Sequence, residues 1–267
     1  MTDSTELTTP LDQYHAAMQS APDDDGARLR FFERLADAEL FLLLEKEPEG
    51  DRISPEVFET SDASFVLVFD TEERLSQFVG RVAPYAALSG RIIASMLAEQ
   101  GIGLALNPEV APSSMLVPAD ALGWLVDTLT HAPDEVEAKV EAFTAPAGLP
   151  EELITALDAK LSTTAGLAKT VYLVGVTYDG GGHSHLLGFV DAVDAAQGAL
   201  AKAVNEALTF SGIEAGALDV GFFSASDPVS AQLARVGLRF DLPERTEVCD
   251  HVPATPGSDP SKPPILK

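Results

Sequence analysis

His183 and His185 stand two residues apart behind three glycines, in the run TYDGGGHSHLLGF at 177–189. On an extended chain, residues at i and i+2 point to the same face, so the two imidazoles are weak candidates for a shared metal. A metal site brings three or four ligands, and nearby Asp179 is the nearest further oxygen. The alternative is a turn. A phosphate loop follows a strand and opens into a helix, whereas here the glycines lead into SHLLGF, another strand pattern. A hairpin between KTVYLVGVTYD and SHLLGFVD is therefore expected, with glycine accepting the positive φ angles of the turn.

Asp70 ends the apolar run SFVLVFD, where α/β enzymes often carry a ligand-facing carboxylate. The following Thr71-Glu72-Glu73 instead makes Asp70 look like a helix cap with Glu73 returning the hydrogen bond, and Asp194 and Asp227-Pro228 repeat that arrangement. Asn107 closes GIGLALNP before Pro108 and presents an amide at a strand end. Trp124, in ADALGWLVDTL, is either core or an exposed aromatic anchor for a partner. Asp70, Asn107 and Trp124 are thus the candidate binding residues. No catalytic set is expected, since GxSxG, HExxH and a paired cysteine and histidine are missing, and the lone GxG at 101–103 precedes its strand. No cofactor is expected either.

The elements that hold these residues alternate. Helical spacing marks LDQYHAAMQS, ARLRFFERLADAE, TEERLSQFVG, GRIIASMLAEQ, ADALGWLVDTL, EELITALDAKLSTT, DAAQGALAKAVNEALTF and PVSAQLARV. Strand patterns mark ELFLLLEK, SFVLVFD, GIGLALNP, KTVYLVGVTYD, SHLLGFVD, ALDVGFFSAS and LRFDLP. The expected class is α/β of mixed α+β character, with two domains, each a mixed sheet of about 3–5 strands covered by helices. Two strands, helix, strand, helix recur in both halves and suggest an internal repeat. The expected divisions are a lead and first helix at 1–26, a domain at 27–132, a linker at 133–149, a second domain at 150–243 and a proline-rich tail at 244–267 that is too polar to order itself.

The 267 residues are 46% hydrophobic, enough for a sizeable core, yet carry 42 acids against 17 bases, a net charge of −25. Phosphate backbones and anionic membranes are repelled, which excludes nucleic acid and membrane surfaces as expected partners. One cysteine, Cys249, excludes an intrachain disulfide. The start TDSTELTTP lacks the features of a secretory signal, and no apolar stretch approaches the roughly 20 residues of a membrane span, so a cytoplasmic location is expected.

FVLVFDTEERL, GIGLALNP with the following SSMLVPADALGWL, and SGIEAGALDVGFF near LRFDLPE resemble the SseB family, named for enhanced serine sensitivity in bacteria. The resemblance runs from about Leu29 to Glu244 and spans both the N-terminal and C-terminal SseB domains. It implies a cytosolic protein of two α/β domains connected with serine tolerance and with sulfur metabolism through a sulfurtransferase association. It carries over no catalytic residue. The expected function is a noncatalytic binding or regulatory protein whose partner is another cytosolic protein or a second copy of the chain. The alternatives are a metal-assisted hydrolase using Asp70, Asn107, His183 and His185, and a homo-oligomeric scaffold.

Overall fold

The computed structural model describes residues 8–243 apart from 51, 132–139, 180 and 213–217. The first half runs α1 (Pro10–Ser20), α2 (Asp25–Asp37), β1 (Glu39–Leu43), β2 (Val57–Glu59), β3 (Ser64–Phe69), α3 (Glu72–Val79), β4 (Tyr85–Ser89), α4 (Gly90–Ala98), β5 (Gly103–Leu106), β6 (Met115–Val117) and α5 (Ala119–Thr130). The second runs β7 (Val140–Thr144), α6 (Glu151–Ser162), β8 (Thr170–Tyr178), β9 (His183–Val190), a 3-10 turn, α7 (Gln197–Phe210), β10 (Leu218–Phe223), α8 (Pro228–Val236) and β11 (Leu238–Asp241). This is the mixed α/β class, built on two mixed sheets of six and five strands.

The sheets share a pattern. The order β4-β1-β3-β5 in the first matches β11-β8-β9-β10 in the second. In each, the first pairing is antiparallel, the second antiparallel and the third parallel. Chain order differs: the outer strand β4 precedes β5, whereas its counterpart β11 follows β10. The shared four-strand plan supports the expected repeat, with the outer strand drawn from a different point in the chain.

Strand alternation sorts side chains onto two faces of each sheet. In the first sheet, Leu40, Leu42, Val66, Val68, Leu104 and Leu106 face α1, α2, α4 and α5, and Leu43, Phe65, Leu67, Phe69 and Ala105 face α3. Phe210 of α7 is buried in the first of these cores, so the two halves share apolar packing. In the second sheet, Phe222 stacks on Phe189 toward α6 and α7, and Phe223 lies on the α8 face; the strand is covered on both sides, as the FF pair requires.

Two expected boundaries shift. Residues 140–144 fall inside the expected linker, yet they form β7 on the flank of β8; the proline-spotted sequence around them hides a short strand. α1, the expected first helix, was set outside the domain at 27–132, yet its Leu11 and Met18 are buried in the first core. Residues 133–139 of the expected connector and the tail at 244–267, including Cys249, lie outside the described residues. Among the described residues no helix is long and apolar enough to cross a membrane.

Candidate functional site

At the carboxyl ends of β3 and β5, where open α/β sheets commonly hold ligands, α1 fills the crevice with its own side chains. Asp12 Oδ2 accepts from the Thr9 N–H at 2.9 Å, and Oδ1 accepts from Ser113 Oγ at 2.6 Å. Arg74, on the first turn of α3, bridges Asp12 and Asp70, its Nη1 lying 2.8 Å from Asp70 Oδ1. Asp70 Oδ2 also accepts from the Thr9 hydroxyl at 2.6 Å. Asp12, Arg74, Asn107 and Ser113 are all buried. Burial by itself would push the Asp12 carboxyl up, but the hydrogen bonds from Arg74, Ser113 and Thr9 prevail and hold it at about 2.

The expected cap at Asp70 is corrected by this geometry. Thr71 caps α3, its hydroxyl accepting from the Arg74 N–H at 3.2 Å, because the Asp70 carboxylate is engaged by a guanidinium four residues on. The parallel expectation fails at Asp194, which meets the Gln197 side chain, and at Asp227, whose carboxylate turns back to the Ser224 N–H at 2.8 Å. Pro228 does open α8 as expected.

Asn107 is completely buried with φ of +44°, a region that asparagine tolerates better than most residues. Its Oδ1 accepts from the Asp70 N–H at 3.1 Å and its Nδ2 donates to Ser113 Oγ at 2.9 Å. Asp70 and Asn107 are therefore brought together, but their polar atoms are taken by the chain's own groups. Trp124 lies elsewhere, 41% exposed, edge-on to Phe32 and to Phe210 of the other half. His183 and His185 extend from the hairpin, which is formed as the glycines predict: Gly181 has φ of +84° and donates to the Tyr178 carbonyl. His183 Nδ1 lies 3.1 Å from Thr177 Oγ1 and His185 Nε2 lies 3.0 Å from the Ala147 carbonyl. Among the described residues no group of three or more His, Cys, Asp or Glu side chains is placed to hold a metal.

A second polar cluster escapes the sequence altogether. Lys160 of α6 lies 2.7 Å from Asp37, 3.0 Å from Glu206 and 3.4 Å from Glu33, and Arg91 of α4 pairs with Asp37 and Glu206. Burial pushes the Lys160 ammonium down, but Asp37, Glu33 and Glu206 outweigh it and raise it. Burial raises Glu33 despite Lys160, while Asp37 ends lowered by Lys160 and Arg91 against the same burial. Beside this hub, α2 and α6 leave a cleft of about 490 Å³. Asp70 stands before the cap of α3, so its pairing with Arg74 four residues on was not a helix-face signal. Nothing in the sequence links Asp12 to Arg74, or Lys160 to Asp37.

The fold thus defines a protein of two helix-covered mixed sheets with a locked strand-end network and an ion-paired junction. Residues 13–124 match the family model described as the SseB protein N-terminal domain, so this stretch of the chain is similar to that domain. No curated protein and no solved structure matches the chain.

Proposed function

We propose that the chain is a noncatalytic binding protein that docks a basic cytosolic protein on the outer face of its first sheet. The observation that carries this is the incomplete cover of that face. Tyr85 lies opposite Leu43, and Leu67, Ala105 and Leu116 are in register, so apolar side chains run from β4 to β6. Of the described helices α3 supplies the cover, through Leu75 and Val79. Phe58, paired with Phe65, is 52% exposed, and Leu116 is 51% exposed. Phe78, against Phe69 of β3, and Tyr85, on the edge strand β4, are exposed as well. Single exposed hydrophobic residues are ordinary, whereas several on one sheet face make an interaction surface.

Charge selects the occupant. Residues 39–83, which carry much of this face, hold eleven acids and four bases, and one of those bases, Arg74, is buried between Asp12 and Asp70. A second copy would bring the same acidic rim and be repelled, whereas a basic partner gains steering and register. The second half is taken as the C-terminal SseB domain, on the likeness of SGIEAGALDVGFF and LRFDLPE, and a place in serine and sulfur metabolism rests on family resemblance alone.

Cross-linking of the full chain in cytosol, with the linked peptides identified, tests the reading. The expected result is a positively charged partner linked near β2 and β6, lost in the Phe58→Asp, Leu116→Asp double variant and kept in Val193→Asp, an exposed site in the second half. Links that survive the double variant, or self-association through this face in sedimentation, overturn it.

A further inference from the structure

The cleft between α2 and α6 has the volume of a small-molecule site. Arg30, Glu33, Arg34 and Asp37 project into it from one side of α2, at spacings of three and four. Glu33 and Asp37 are taken up by Lys160, and Arg30 lies 3.3 Å from Asp24. Arg34 has no ion partner among the described residues, and its Nε is buried without a hydrogen-bond acceptor. A guanidinium that lines a cleft without an ion partner offers a fork that a carboxylate satisfies with two oxygens.

The opposite wall narrows the ligand. Glu151 and Glu152 line the same cleft and oppose a multiply charged anion such as phosphate. A single carboxylate pairs with the Arg34 guanidinium and meets less repulsion from these two acids than a multiply charged anion does. Ala156 and Ala159 leave room for a short hydrocarbon chain beside it.

We infer that this cleft binds a small monocarboxylate, held through Arg34 with its carbon chain against α6. The cleft lies on the opposite side of the first sheet from Phe58 and Leu116, so this site and the protein-docking face stand or fall separately.

Saturation-transfer NMR on the full chain, with butyrate, butyramide and inorganic phosphate each at about 10 mM, decides the matter, since that concentration reveals millimolar binding. Butyrate is expected to bind, butyramide and phosphate not. Arg34→Gln is expected to weaken butyrate by about tenfold or more. Ala156→Leu, which narrows the cleft without changing its charge, is expected to weaken it too and decides the case if Arg34→Gln does not fold. Equal binding of butyrate and butyramide, preference for phosphate, or full butyrate affinity in a folded variant overturns the inference.

Discussion

Lys160 Nζ sits 2.7 Å from Asp37 Oδ2, joining residues 123 positions apart and fastening the second half of the chain to the first. The bond is buried on the lysine side and shares its cation with Glu206 and Glu33. Because burial disfavours every charge in this hub, its value lies in the mutual pairing rather than in any one contact.

Removing Lys160 should therefore be severe. Lys160→Met leaves Asp37 and Glu206 sharing Arg91 and takes away the ion partner of Glu33, and a cost of about 3–5 kcal/mol is expected. Lys46→Met, which breaks the exposed Lys46–Glu49 pair, should cost less than about 1 kcal/mol. Urea unfolding of both variants at neutral pH measures the difference; equal losses would show that the hub contributes no more than a surface pair.

Acid should weaken the strand-end network. Asp12 falls from 3.8 to about 2 on folding, a depressed carboxyl, so its contribution is complete above the unfolded value and is lost as pH falls through the folded one. The amount is on the order of 2 kcal/mol. Asp12→Asn should lower stability at neutral pH, by leaving Arg74 short of a partner, and should flatten the decline from about pH 4 to about pH 2. Unfolding curves across that range check the slope, and an unchanged slope in the variant would refute the assignment to Asp12.

How far these features could be read in advance depended on the range of the interaction. SFVLVF and the GGG hairpin were legible because burial period and turn chemistry are local, and Pro228 opened its helix as expected. β2 and β6 have three residues each, too few for alternation to show, and β4 runs into α4 at Ser89-Gly90 without a breaker. The capping grammar at Asp70 was locally sound but lost to Arg74, whose charge needs the carboxylates of both Asp70 and Asp12. The hub was illegible because its members lie on α2, α4, α6 and α7 and meet only when the two halves pack.

That β4-to-α4 junction yields the sharpest test of the packing. Gly90 donates its N–H to the Ala38 carbonyl at 2.9 Å and lies against the end of α2, so closely that a Cβ built there would stand 1.9 Å from the Leu35 carbonyl oxygen. The neighbouring atom is backbone, in a helix whose Phe31, Phe32 and Leu35 are buried in the first core, and cannot swing aside as a flexible side chain could. Gly90→Ala would normally favour a helix by about 1 kcal/mol. Here the overlap must move α2 or α4, and the expected net result is destabilisation of about 1–3 kcal/mol or more. Gly123, inside α5 with no atom within 4 Å of such a Cβ, is the control: Gly123→Ala should raise the melting temperature. Paired thermal melts of the two variants read the sign directly, and a stabilised Gly90→Ala would mean that α4 does not press on α2 as described.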